Sequence, residues 1–88
     1  MKAEEILRTA ADLVSGPRAE QHGAVEDVFA QAAGMTRMPG FFAYDAIMFM
    51  VFLKIARMEN GTFNIDDYID ACGYLALAGQ LTAEFNES

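Results

Sequence analysis

Four stretches of the chain carry apolar residues at helical spacing, separated by short polar or glycine-containing breaks. In the first, residues 3–14, Ile6, Ala10, Leu13 and Val14 recur at intervals of three and four, with Leu7 and Ala11 beside them. Ser15-Gly16-Pro17 ends it. The second begins near Arg18 or Ala24 and runs to about Ala33; Val25, Val28, Phe29, Ala32 and Ala33 form its stripe, and Gly34 is a natural stop. A loop over residues 34–40 contains Pro39. The third stretch, residues 41–59, is apolar on nearly every side as far as Leu53, which is the pattern of a central or interface helix. Asn60-Gly61 closes it, with glycine as the expected left-handed cap.

The fourth stretch starts on Asn64, a good N-cap, and continues to about Phe85. Ile65, Ile69, Cys72, Ala76 and Gly79 form one stripe; Tyr74, Leu77 and Leu81 form another. Gly73 and Gly79 weaken the helix locally and allow close packing, and the last residues, 86–88, are expected to fray. No alternation of period two occurs, and neither repeats nor low-complexity segments are found. The expected fold is a single all-α domain over residues 1–88, a four-helix bundle with short turns.

Composition adds an expectation of self-association. Of 88 residues, 53% are hydrophobic, more than a domain this small can hide in its own core. A homo-oligomer, dimer or higher, is the simplest outlet. The net charge of −7 and the absence of a basic run argue against nucleic-acid polymers and anionic membranes as partners. A small anionic ligand stays open, because a local cation pair can outweigh the global field. A single cysteine, Cys72, excludes an internal disulfide and fits a reducing cytoplasm. No signal segment is recognisable, and the longest apolar run, residues 41–53, is too short to span a bilayer.

Charges that interrupt apolar stripes carry the candidate chemistry. Lys54 and Arg57 share one face of the third helix with Ile47, Met50 and Val51. An arginine and a lysine so placed suit phosphate oxygens, the first bidentately and the second as a point charge. Proximity to the helix C-terminus, or pairing with Asp66, Asp67 or Asp70 across the turn, explains them equally well. On the fourth helix Asp67 and Asp70 share a face that continues as Tyr74, and carboxylates at this spacing can hold a hard cation such as magnesium. Asp66 and Asp67 also complement the helix dipole, and Asn64 with Asp67 resembles a capping box. Asp70 lies beyond the first turn, where capping does not explain it. Arg18 and His22 precede the second helix, and Glu26 on that helix is a carboxylate that can oppose Asp70. Asp45 either favours the dipole of the third helix or faces a cation of another subunit.

The order of these features resembles a small family found in bacteriophages and prophages, known only as a domain of unknown function. The matching pieces are Ile6-Leu7 with Ala10, then Arg18 to Gly23, Phe29, Leu53-Lys54-Ile55-Ala56-Arg57, Asp66-Asp67-Tyr68-Ile69-Asp70 and Gly73-Tyr74. That family is in turn distantly similar to the MazG-like all-α nucleotide pyrophosphohydrolases. This resemblance implies a MazG-like bundle, magnesium, and cleavage of nucleoside triphosphates to monophosphate and pyrophosphate. The later of the two acidic pairs in those enzymes would fall on Asp67 and Asp70. The earlier pair needs two acids three apart, where this chain has Glu26 and Asp27 adjacent.

Three functions are therefore expected to compete. A nucleotide binder would hold phosphates with Lys54 and Arg57, helped by Arg18 and His22, and a magnesium ion or a sugar hydroxyl with Asp67 and Asp70. Tyr74 would stack on the base, and in a phage such a binder could sequester a nucleotide signal of host defence. A magnesium-dependent pyrophosphohydrolase would need Glu26, Asp67 and Asp70 around one metal. An oligomeric interaction protein would use its charges only for capping and ion pairs.

Overall fold

A computed structural model of the chain describes residues 1–16 and 25–87, with only the backbone described at residues 25 and 26. The described residues form four α-helices and no strand: α1 (Ala3–Ser15), α2 (Val25–Met35), α3 (Ala43–Asn60) and α4 (Ile65–Glu87). The all-α expectation holds in these residues. α3 and α4 make the central antiparallel hairpin; α2 packs on α3 and α1 packs on α4.

Helix ends follow local hydrogen bonding more closely than glycine placement. α2 runs through Gly34 to Met35 instead of stopping at Ala33. The chain closes this helix with N–H groups of Thr36 and Arg37, which donate to the carbonyls of Ala33 and Gly34 at 3.2 and 3.1 Å. The left-handed residue of this turn is Arg37, at φ 57°, and not a glycine. At the start of α3 the backbone N–H of Phe42 donates to Asp45 Oδ2 at 2.9 Å, so Asp45 is a capping carboxylate. Gly61 caps α3 through its N–H to the Arg57 carbonyl at 2.9 Å, but its φ of −108° is not left-handed. Gly16 is required by close approach, since a Cβ there would collide with the Asp12 carbonyl oxygen.

The fully buried core is small. Ala10 of α1, Ala33 of α2, Ile47 and Val51 of α3, and Ile69, Gly73 and Ala78 of α4 lie inside. Ile47, Val51 and Lys54 fall on one side of α3, as the spacing predicts, and this side faces the hairpin partner. Along α4 the buried path turns from Ile69 to Gly73 and Ala78; Ala76 and Gly79, expected on that stripe, are exposed. Gly73 does admit a close neighbour, Val14 Cγ1, whereas nothing lies within 4 Å of a Cβ placed at Gly79. Leu7 and Ala11 of α1 also face outward. Among the described residues no helix is long and apolar enough to cross a membrane.

Candidate functional site

The turn between α3 and α4 sets two charged positions of one helix against two of the other. Asn64 starts α4 by accepting the Asp66 N–H on its Oδ1 at 3.0 Å. This Asx arrangement replaces the expected capping box, and the Asp67 side chain takes no part in it. From that fixed start, the antiparallel register places Asp70 opposite Lys54 and brings Asp67 and Arg57 to the same cleft, one turn nearer the end of the hairpin.

The two levels differ in chemistry. Lys54 Nζ contacts Asp70 Oδ2 at 3.0 Å, with side chains 12% and 31% exposed. A lysine ammonium this sheltered needs a counter-charge, and Asp70 supplies it. One of the sequence alternatives is thus realised: these two charges neutralise each other. Asp67 is the buried charged residue of the described chain, at 7% exposure. No donor among the described residues hydrogen-bonds its carboxylate. Arg57 is exposed, and its guanidinium makes no ion pair among the described residues.

Arg57 and Asp67 line one open cleft of about 560 Å³, together with Asn60, Thr62 and Asn64. Asn60 Nδ2 donates back to the Ala56 carbonyl at 2.9 Å, which leaves its amide oxygen as a further acceptor. The cleft therefore presents a planar cation, a sheltered carboxylate and short polar side chains within one turn. A ligand that carries both an anion and hydroxyl or amide donors can satisfy both charges together.

The other expected site residues are placed differently. Tyr74 does not line this cleft; its half-buried ring meets Phe29 of α2 edge-on, at 6.0 Å between centroids and 87° between planes. Tyr74 thus serves the packing of α2 against α4. Arg18 and His22, and the side chain of Glu26, lie outside the described residues. Among the described residues no group of three or more His, Cys, Asp or Glu side chains is close enough to hold a metal ion. Of the expected magnesium set, Asp67 lines the cleft and Asp70 contacts Lys54. Asn60 and Thr62 were not singled out in the sequence as site residues; their signal was only their place in the turn beside Arg57.

The described residues define a small helical protein with an open cleft, carrying charged side chains, at the end of its central hairpin. The chain belongs to the family described as Domain of unknown function (DUF6378), whose profile matches residues 5–82. A relative, the Gene 55 protein of Mycobacterium phage L5, is 35% identical over 74 residues, covering 78% of this chain and 47% of its own length. The chain thus spans about half the length of that phage protein. No solved structure matches it significantly.

Proposed function

We propose that this protein binds a small phosphorylated nucleotide in the cleft at the end of the α3–α4 hairpin. One observation carries the proposal: Arg57 and the buried Asp67 face one cavity and have no side-chain partner among the described residues, while the adjacent Lys54 and Asp70 satisfy each other. Arg57 takes phosphate oxygens through its guanidinium fork. Asp67 accepts the ribose hydroxyls, which supply the donors its carboxylate lacks. Lys54 and Asp70 hold the two helices in register behind the ligand. Asn60 and Thr62 add polar contacts at the rim.

The family membership and the phage relative support a phage setting in the bacterial cytoplasm. There, a binder without strong catalysis serves to sequester a nucleotide signal of host defence. The MazG-like alternative, a bundle that hydrolyses nucleoside triphosphates with magnesium, requires Asp70 to leave Lys54 and join Asp67 and Glu26 on a metal. The Lys54–Asp70 contact makes binding the better-supported of the two.

The test is a thermal-shift and calorimetric panel of nucleoside mono-, di- and triphosphates, with and without magnesium. At least one nucleotide is expected to raise the melting temperature and to be recovered intact by chromatography. Arg57→Ala is expected to weaken that binding at least tenfold. Asp67→Asn is expected to weaken it as well while making the ligand-free protein no less stable, since no described donor bonds its carboxylate and the change removes a sheltered charge. Pyrophosphate release would favour the enzyme. Silence across the whole panel would leave only an interaction role.

A further inference from the structure

The outward face of α3 is apolar, and it lies opposite the face that packs on α4. Phe49, Phe52, Leu53 and Ala56 recur at helical spacing along it, and all are exposed, Phe49 at 59% and Phe52 at 58%. A helix that is apolar on all sides belongs inside a protein, yet the described partners of α3, namely α4 and α2, cover one side only. The charges on the outward face stand at its ends: Asp45, which caps the N-terminus, and Glu59 in the last turn.

We infer that this face is the seam of a two-fold dimer, in which α3 packs antiparallel on α3 of a second copy. The centre of symmetry lies between Phe49 and Phe52, so that Phe49 of each copy covers Phe52 of the other. Surface area supports a second copy as the occupant. The isolated chain exposes 6469 Å², about 1,400 Å² more than a compact monomer of 9.6 kDa is expected to show. A standard interface needs only about 800 Å² from each partner.

Charge selects the direction. A parallel pairing would place Asp45 on Asp45 and Glu59 on Glu59, with the two helix dipoles aligned. An antiparallel pairing sets Asp45 beside Ala56, sets Glu59 beside Phe42, and opposes the dipoles. The face is two-fold self-complementary in this register, as an isologous interface must be. The seam adjoins the ligand cleft, since Ala56 belongs to both and Arg57 follows it directly; Phe49 and Phe52 lie outside the cleft, so variants at these two positions read association alone.

Sedimentation equilibrium of the full chain tests the seam. The wild type is expected to be a dimer at micromolar concentration. Phe49→Glu and Phe52→Glu are each expected to weaken association at least 100-fold while leaving the helical circular dichroism unchanged. A second measurement reads direction without disturbing the centre. In a Cys72→Ser background, Asp45→Cys mixed with Ala56→Cys is expected to form a disulfide under mild oxidation, whereas Asp45→Cys alone forms none. A monomeric wild type, a dimer that neither glutamate disturbs, or crosslinking of Asp45→Cys with itself would overturn the inference.

Discussion

Lys54 and Asp70 share one sheltered ion pair, and this contact decides which of the neighbouring charges remain available. Asp70 is the acid hardest to explain by capping, so sequence reasoning made it the strongest ligand candidate. As a partner for Lys54 it was legible only as one of three acids across the turn. Asp67 was open to a simple capping explanation, yet it is the buried charged residue among those described, and its carboxylate opens to the cleft instead of meeting a described donor. The difference lies in helix register: a shift of about one turn would exchange which acid meets Lys54, and spacing within one helix carries no information about that. The pair is unequal, since Lys54 is the more deeply covered partner. Asp70→Leu is therefore expected to destabilise the protein more than Lys54→Met, by roughly 1–3 kcal/mol against less than about 1 kcal/mol. The double variant is expected to recover most of that loss, because an apolar pair of similar volume replaces a half-buried ion pair well. Urea denaturation of the three variants measures this; purely additive effects would show that the two side chains are not coupled.

At the scale of elements, apolar periodicity located all four helices within the described residues, with ends displaced by one to two residues. Those displacements have local causes. Thr36 and Arg37 close α2 beyond Gly34, and the Asp45 cap shifts the start of α3 past Phe41 and Phe42. Gly73 and Gly79 look alike in the sequence, and tertiary contact separates them. Gly73 is buried against Val14 of α1, whereas Gly79 is exposed in the interior of α4 with open space around it. Gly79→Ala is accordingly expected to stabilise the protein by about 0.5–1 kcal/mol through helix propensity alone. Gly73→Leu is expected to destabilise it by displacing α1. Chemical denaturation of both variants checks the contrast, and a destabilised Gly79→Ala would reveal a contact at that position in the assembled protein.

The whole molecule is too open for its mass. Its radius of gyration is 13.7 Å, where about 12 Å is usual for a compact chain of this length. Among the described residues few side chains are fully buried, and Ile47 is the largest of them. A chain with so small a core gains stability from whatever covers its apolar face. The melting temperature is therefore expected to rise with protein concentration, by several degrees between about 1 and 100 μM, as linkage to dimerisation requires. Phe52→Glu is expected to remove that dependence. Differential scanning fluorimetry over this range provides the measurement, and a melting temperature independent of concentration would mean that the monomer is stable without a partner.

What the sequence determined alone was the class of the protein. Periodicity of apolar residues is a property of neighbours along the chain, so it specifies helices and their faces. The charged residues worth attention were visible for the same reason, as interruptions of those faces. The tertiary structure decided which charges meet. It neutralised Lys54 with Asp70, turned Tyr74 toward Phe29, and left Arg57 and Asp67 together at the end of the hairpin. Contacts between helices depend on register and crossing, which are set by the packing of two faces together and are written in neither face by itself.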